Sequence, residues 1–282
     1  MFLWLVKHTT SQSSNATSWL DALTCAAAWG VRHQELVFIK GEEMSTFVLV
    51  HGGWSGSHGF RHIRKLLQAE GHEVFTPCLT GIGERSHLAN PLINLSTHVL
   101  DVVNHVMYED LNDIVLVGFS YGGFVVTASL EHISNRVKHL VYLDAFVPKD
   151  GESVSSLVFS GAGRPSIEIE APWTAPPIVR EFDDKSEGEW MGVRRTPHPT
   201  GCFSEPVFLE KPLENFDFSR TYIKASRNPS TDVGADALWQ AGNLARDSLA
   251  WEYREIETTH MVANNEPVRL LKLLCEVVAR DI

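Results

Sequence analysis

The sequence has few cysteines, no basic run and no long apolar run. Its four cysteines are far apart and form no Cys-x-x-Cys pair, so the sequence shows neither a zinc motif nor a disulfide framework. The formal net charge of -11 disfavours nucleic acid and anionic membranes as partners. No apolar run approaches the roughly 20 residues of a membrane-spanning helix. We therefore expect a cytoplasmic protein whose partner is a small molecule, with its oligomeric state open and a homodimer as one option.

Residues 1–43 differ in composition from the remainder of the chain. They combine a polar stretch at 9–15, of a type common in disordered segments, with an Ala-rich piece around 26–28. The first six residues follow no basic region and are short for a signal peptide. We expect residues 1–43 to be an N-terminal extension, poorly ordered or outside the core, and the folded domain to comprise residues 44–282.

Apolar strand-like segments alternate with amphipathic helix-like segments from residue 46 onward. Strands are predicted at 46–51, 73–76, 113–118, 138–144 and 221–226, and helices at 58–70, 96–107, 121–132 and 267–279. This alternation is typical of βαβ units. The sequence predicts an α/β fold with a mostly parallel central sheet flanked by helices.

The alternation breaks at residues 148–215, which we call the lid segment. It contains nine prolines and shows no sustained periodicity. Such a composition favours a lid inserted before the last strands, where apolar side chains can wall a substrate pocket. Trp173 and Trp190, with Phe159 and Phe203, are the candidates, although any one of these aromatics can equally belong to a small core within the lid.

A serine between two glycines follows the apolar strand at 113–118. The residues Gly118-Phe119-Ser120-Tyr121-Gly122 match the nucleophile elbow, a tight strand-to-helix turn that lifts a serine hydroxyl clear of the backbone. Glycines flank the serine because a Cβ atom at either position would collide with neighbouring backbone. We predict that Ser120 is a nucleophile.

A second glycine turn, His51-Gly52-Gly53-Trp54, ends the strand at 46–51. A serine that attacks a carbonyl creates an oxyanion, which two fixed backbone N–H groups can stabilise. Gly53 and Tyr121 are the predicted donors. We expect His51 and Trp54 to support this turn, and Trp54 also to line the substrate pocket.

A serine nucleophile needs a positioned base, usually a histidine. Of the thirteen histidines, His260 comes at the end of the alternating segment 251–259, which we expect to contain the final strand, and the elbow fold carries its base just after that strand. His58 and His62 are spaced i, i+4 but belong to no His-Glu-x-x-His motif, which favours a solvated helix face over a metal site. The other histidines of the predicted core are expected at partly exposed surface: His72, His87, His98, His105, His132, His139 and His198.

The acid that orients the histidine has more than one candidate. Asp144 ends the apolar strand at 138–144, where a buried carboxylate needs a partner. After the strand at 221–226 the chain has Asn228, which cannot carry the charge, and the first carboxylate is Asp232. Asp144 and Asp232 both stay open at this point; the ordinary alternatives are a hydrogen-bonded strand end for Asp144 and a helix N-cap for Asp232.

These motifs together resemble α/β-hydrolase-fold esterases of bacteria, whose relatives include plant methyl esterases and hydroxynitrile lyases. The resemblance rests on His-Gly-Gly-Trp at 51–54, Gly-His-Glu-Val-Phe-Thr-Pro at 71–77, Leu-Thr-Gly-Ile-Gly-Glu-Arg-Ser-His-Leu at 79–88, the elbow, and Tyr-Leu-Asp-Ala-Phe-Val-Pro at 142–148. It covers about residues 44–282. It implies Ser120 as nucleophile, His260 as base, and Gly53 and Tyr121 as oxyanion donors.

This sequence departs from the family pattern at the acid, because the family usually has aspartate at the position of Asn228. Related haloalkane dehalogenases carry their acid before the cap in a Tyr-x-Glu-Ala setting, which Tyr142-Leu143-Asp144-Ala145 resembles. On this resemblance we rank Asp144 first and Asp232 second as the acid. The expected activity is hydrolysis of a small apolar or aromatic carboxylic ester through an acyl-enzyme, with no metal or organic cofactor.

Two alternatives remain open at this stage. A hydroxynitrile-lyase type of catalyst would use the same groups, but those lyases have lysine after the histidine and threonine in the first oxyanion turn, where this chain has Met261 and Gly53. A catalytically weak ligand-binding protein on the same fold is the other alternative, and Asn228 keeps it open.

Overall fold

The computed structural model describes residues 44–159, 173–227 and 234–279. The predicted extension at 1–43 and two acid-region positions, Asn228 and Asp232, lie outside the described residues. The side chain of Phe159 is also outside them.

A parallel sheet forms the centre of the fold. The strands are β1 (Thr46–Val50), β2 (Glu73–Phe75), β3 (Ile114–Phe119), β4 (Val137–Leu143), β5 (Thr174–Ala175), β6 (His198–Pro199), β7 (Ser219–Ala225) and β8 (Glu252–Ile256). Six of them form one sheet in the order β2-β1-β3-β4-β7-β8, and every neighbouring pair is parallel. The short strands β5 and β6 pair antiparallel with each other. The predicted mostly parallel sheet is confirmed.

Helices connect these strands. They are α1 (Arg61–Ala69), α2 (Leu95–Tyr108), α3 (Gly122–Ile133), α4 (Val154–Phe159), α5 (Lys185–Gly192), α6 (Gly201–Ser204), α7 (Ala235–Arg246), α8 (Val262–Asn265) and α9 (Pro267–Ala279). Four 3-10 segments lie at Ser57–Phe60, Gly83–Leu88, Ser134–Arg136 and Leu213–Asn215. The predicted bounds agree within about two residues, except that the helix expected from residue 58 begins as the first of these 3-10 segments.

Two apolar layers cover the two faces of the sheet. In β1, Val48 and Val50 join one buried cluster while Phe47 and Leu49 join the other, because successive side chains of a strand point to opposite faces. Buried residues of α2, α3 and α7 belong to the first cluster. Those of α1 and α9 belong to the second. Burial on both faces accounts for the nearly continuous apolar runs in the strand sequences.

The lid segment lies between β4 and β7 in the chain, as predicted. A buried carboxylate connects it to the rest of the fold: Glu187 in α5 pairs with Arg61 and accepts a hydrogen bond from Asn264 Nδ2 at 2.8 Å. His62 Nε2 lies 3.4 Å from the same carboxylate. His58 Nδ1 lies 2.8 Å from Glu84 Oε1.

The prediction that His58 and His62 form a solvated helix face is therefore wrong. Their side chains are only 14% and 21% exposed, and each pairs with a carboxylate from a segment distant in the sequence. Sequence spacing could not show these partners. Within the described ranges, no helix is long and apolar enough to cross a membrane.

Close backbone packing at the start of α3 leads to a stability prediction. A Cβ atom at Gly122 would lie 2.5 Å from the Val50 carbonyl oxygen, whereas a Cβ at Gly192 would meet nothing within 4 Å. We expect Gly122→Ala to lower the free energy of unfolding by about 1–3 kcal/mol through overpacking. Gly192→Ala, the matched control, should be neutral or slightly stabilising. Urea denaturation of both variants tests this, and equal stabilities would contradict it.

Candidate active site

Ser120 lies in the turn between β3 and α3. Its φ is +54°, a left-handed conformation that costs energy for a residue with a side chain and that occurs often at functional sites. A Cβ atom at Gly118 would lie 2.6 Å from the Val126 side chain, so the turn leaves no room for one. This local geometry presents the Ser120 hydroxyl to the side chain of His260, whose Nε2 is 2.9 Å from Ser120 Oγ.

His260 follows β8 and is 3% exposed. Its Nδ1 lies 2.7 Å from Oδ2 of Asp144, and its ring lies against Phe119 with the ring centroids 4.9 Å apart. The carboxylate can only accept when ionised, so it holds the tautomer with the proton on Nδ1 and leaves Nε2 free to accept the serine proton. The structure therefore brings Ser120, His260 and Asp144 into one hydrogen-bonded chain.

Asp144 comes directly after β4 and is fully buried. Its φ is +40°, and its own N–H donates to the Ile223 carbonyl at 2.7 Å. Besides the histidine, its carboxylate accepts the Ala225 N–H at 3.2 Å and the Lys224 ammonium at 2.5 Å. Of the two ranked acids, Asp144 is the one that the structure places beside the His260 ring.

Lys224 is a residue of this site that the sequence analysis missed. It is fully buried in β7, donates to the Ala225 carbonyl at 3.0 Å, and its ammonium lies 4.3 Å from the centre of the Trp239 ring. A cation inside the otherwise apolar strand Tyr222-Ile223-Lys224-Ala225 was the available signal, because a buried lysine needs a partner.

The environment keeps the acid charged and the base neutral. Burial alone would raise the pKa of Asp144, but the hydrogen bond from His260 and the positive charges nearby outweigh it and hold that pKa below its usual range. Burial lowers the pKa of His260, and the positive charge of Arg180 adds to this effect. A neutral imidazole beside a charged carboxylate is the state that can accept a proton.

The two predicted oxyanion donors lie next to each other. A Cβ atom at Gly53 would be 3.7 Å from the Tyr121 Cβ, and one at Gly52 would be 2.9 Å from the Ser120 Cβ. In the described part of the chain, neither the Gly53 nor the Tyr121 amide has a hydrogen-bond acceptor. Two unpartnered N–H groups beside the serine are available to an oxyanion.

Buried histidines support these donors. His51 donates from Nδ1 to the Gly52 carbonyl at 3.0 Å and accepts the Leu79 N–H at Nε2. His98 accepts the Tyr121 hydroxyl at Nδ1, 2.9 Å away, and donates from Nε2 to the Thr80 carbonyl at 2.8 Å. Each bond pattern requires a neutral ring, and burial lowers the pKa of His51 and of His98 to about 4.

The prediction that the remaining histidines lie at partly exposed surface is wrong for four of them. His72, His98, His139 and His198 are buried. His198 stacks on Phe203 and meets the Tyr121 ring edge-on. Tertiary packing supplies acceptors and ring neighbours that sequence position does not reveal.

Two small cavities adjoin Ser120. One, of about 20 Å³, is bounded by the oxyanion turn, His260, Met261, Met191, Arg180 and Arg195. The other, of about 40 Å³, is apolar apart from Arg180, and its walls include Trp54, Phe146, Ile178, Phe203 and Leu238. Trp54 borders both and donates from Nε1 to the Ala175 carbonyl, 3.0 Å away, which ties the oxyanion turn to the lid segment.

Trp173 and Trp190, predicted as pocket walls, are not among the described residues lining these two cavities. The Trp190 ring is packed between Arg61 and Arg194, with guanidinium carbons 3.5 Å and 3.9 Å from its centre. The Trp173 carbonyl accepts the Thr200 N–H and so supports the β5–β6 pair. The Trp190 ring therefore packs the lid segment against the helix α1. Among the described residues, no group of histidine, cysteine or carboxylate side chains could hold a metal ion.

The neutral histidines predict acid sensitivity. Because the folded-state pKa of His51 and of His98 is about 4 against 6.5 in the unfolded chain, the stability they contribute is complete above pH 6.5 and is lost as the pH falls toward 4. The loss is about 3 kcal/mol for each histidine. Urea denaturation between pH 7 and pH 4 measures it. His98→Gln should make the decline shallower, and the exposed His132→Gln should not; identical slopes would contradict the prediction.

Much of this chain is similar in sequence to known proteins. The sequence model of a family described as "Alpha/beta hydrolase family" matches residues 47–272. The carbendazim hydrolyzing esterase of Nocardioides sp. is 45% identical over 179 residues, which cover 59% of this chain and 74% of that protein.

More distant relatives are plant proteins. The putative methylesterase 13 of Arabidopsis thaliana is 28% identical over 86% of this chain, and the chain spans only 58% of its length. Among solved structures, a methylesterase from Arabidopsis superposes with a TM-score of 0.66 at 21% identity, covering 84% of this chain and all of that one. The tomato methylketone synthase I superposes with a TM-score of 0.67 at 18% identity over 84% of this chain and 99% of that one.

Proposed function

This chain belongs to the alpha/beta hydrolase family, and from that premise we propose that it is a serine esterase that cleaves a small carboxylic ester through an acyl-enzyme. Ester hydrolysis as a class is supported by its esterase relatives. The observation that carries the finer proposal is the unbroken hydrogen-bonded chain from Ser120 Oγ to His260, 2.9 Å, and from His260 to Asp144, 2.7 Å.

In the first half of the proposed reaction, Ser120 Oγ attacks the ester carbonyl carbon while His260 Nε2 takes the hydroxyl proton. The carbonyl oxygen becomes an anion that accepts hydrogen bonds from the Gly53 and Tyr121 amides. Asp144 stabilises the protonated imidazole without taking its proton. His260 then protonates the departing alkoxide, the carbon–oxygen bond breaks, and the acyl group stays on the serine.

In the second half, His260 removes a proton from water as the water attacks the acyl carbon. The same two amides stabilise the second oxyanion. Collapse of this intermediate returns the proton to Ser120 Oγ and releases the carboxylic acid.

The apolar cavity beside Ser120 supports an apolar or aromatic portion in the substrate. Its aromatic walls, Trp54, Phe146 and Phe203, can pack against a ring or an alkyl chain, and its small volume favours a small group. The lid segment supplies Phe203 and Ile178, so it would contribute to substrate selection.

The two alternatives have weaker support. The binding-protein alternative depended on the absence of a charged acid at Asn228, and Asp144 offers His260 an ionised carboxylate instead. The lyase alternative has no lysine beside His260, because Met261 follows it and lines the cavity.

Loss of the nucleophile is the direct test of the acyl-enzyme. We expect Ser120→Ala to lower kcat/KM for an activated aryl ester by at least about ten-thousandfold, because the residues of such a chain act as one unit. A serine-directed phosphonate should label the wild type at Ser120, as measured by mass spectrometry of peptides. Ser129→Ala, a control in α3 whose hydroxyl donates to the Val125 carbonyl, should be labelled like the wild type. Retained turnover or labelling in Ser120→Ala would exclude the proposal.

Removal of the buried cation tests the electrostatics of the site. Lys224→Met leaves Asp144 without its ammonium partner, which should lower stability by about 3–5 kcal/mol. It also removes a positive charge near His260, so the pKa of His260 should rise and the acidic limb of the kcat/KM profile should move to higher pH.

The control for this variant lies on the same strand. Arg220 in β7 is buried and donates to the Leu213 and Phe216 carbonyls, away from the site. Arg220→Met should lower stability and leave the acidic limb in place. If the acidic limb of the kcat/KM profile moves equally in both variants, or does not move in Lys224→Met, the electrostatic role of Lys224 is contradicted.

A further inference from the structure

Two arginines from the lid segment line the smaller cavity together with Ser120 and His260. Arg180 lies between β5 and α5, and Arg195 follows α5. Arg180 also borders the apolar cavity. In the described part of the chain, no carboxylate side chain lines either cavity. The smaller cavity therefore has a positive wall.

Arg195 is the more informative of the two. Its Nε is buried and has no hydrogen-bond partner, and its guanidinium forms no ion pair with any described residue. Burial lowers the pKa of Arg195 to about 10, and the charge of Arg180 adds to the effect. Within the described ranges, no carboxylate opposes this shift.

The other partly buried arginines of the described chain contrast with this one. Arg61 pairs with Glu187, Arg136 donates to the Leu111 carbonyl, and Arg220 donates to two carbonyls. A structural arginine satisfies its donors within the protein, because a desolvated cation without an acceptor destabilises the fold. Arg195 has an unsatisfied donor and lines the cavity that also contains Ser120 and His260. This is the arrangement expected of a group that binds a ligand.

The shape of the guanidinium and the size of the cavity indicate the ligand. A guanidinium presents parallel N–H donors that match the two oxygens of a carboxylate. The cavity is small, about 20 Å³, which favours a compact planar anion such as a carboxylate. The oxyanion itself already has its donors in Gly53 and Tyr121, so Arg195 is available for a second group of the substrate.

We propose that the substrate is an ester that also carries a free carboxylate, such as the half-ester of a short dicarboxylic acid, and that Arg195 binds this carboxylate. This inference rests on the proposed esterase function. The apolar portion of such a substrate would occupy the cavity lined by Trp54 and Phe203. Arg180 lines both cavities, so its charge would act on a ligand in either one. A carboxylate in the smaller cavity would also offset the positive potential beside His260 when the imidazole becomes charged.

The test compares matched esters. Monomethyl glutarate and methyl pentanoate differ chiefly in the carboxylate, and release of methanol measures kcat/KM for both. We expect the wild type to favour the half-ester by at least about tenfold, and Arg195→Met to lower the half-ester to neutral-ester ratio by about 10–100-fold, the size of one or two charge-assisted hydrogen bonds.

Arg194→Met is the matched control, because Arg194 is exposed and its guanidinium lies over the Trp190 ring. It should leave the ratio at the wild-type value. A wild type that favours methyl pentanoate, or an Arg195→Met variant with an unchanged ratio, would overturn the inference.

Binding measurements separate this inference from the proposed function. Isothermal titration calorimetry of glutarate against the wild type should show binding that Arg195→Met reduces by at least about tenfold and Arg194→Met does not. If phosphonate labelling at Ser120 fails while glutarate binding depends on Arg195, the esterase proposal fails and the carboxylate site stands. If labelling succeeds and glutarate does not bind, or binds all three proteins equally, the carboxylate site fails alone.

Discussion

The buried carboxylate of Asp144 is the constraint on which the site depends. It lies at the end of the central strand β4 with no exposure to solvent, so it can remain charged only if the surrounding structure compensates it. Lys224, the Ala225 amide and His260 do so from neighbouring strands and loops. Because those partners come from β7 and from the loop after β8, the sheet order β4-β7-β8 must form before the carboxylate is satisfied. The chemistry and the stability of the fold therefore rest on the same contacts.

Strain and burial are concentrated around this carboxylate. Of the five residues other than glycine with positive φ in the described chain, three lie at the site: Trp54, Ser120 and Asp144. The glycines at the site pack closely on neighbouring groups, and this packing holds the three conformations. The neutral His51 bonds the Gly52 carbonyl, and the neutral His98 bonds the Tyr121 hydroxyl. A site of this kind is rigid on its sheet side. Its variable wall is the lid segment, which supplies Arg195 and Phe203.

Several parts of this arrangement could be predicted from local sequence. Ser120 was identified from a short motif because the elbow needs glycines at fixed offsets, and His260 from its position after the last strand. The strand and helix bounds were predicted because burial on both faces and amphipathic periodicity leave local signals. Asp144 ranks first in the sequence by its place at a strand end and by the resemblance of its surroundings to those of the haloalkane dehalogenase acid, whereas its contact with the His260 ring is visible only in the structure.

Other parts were decided by contacts between distant segments. The four buried histidines and Arg195, whose Nε has no partner among the described residues, carry no local pattern, because whether a polar side chain is paired depends on which segments meet in space. The two lid tryptophans were misplaced for the same reason, since an aromatic residue has equal preference for a pocket wall and for a packed core. The sequence alone determined the architecture and pointed to Ser120 and His260 as the proposed nucleophile and base, because the architecture and the elbow motif follow from short-range backbone requirements. Only the tertiary structure decided the acid, its cation and the charge of the pocket, because burial and partnership arise from long-range packing.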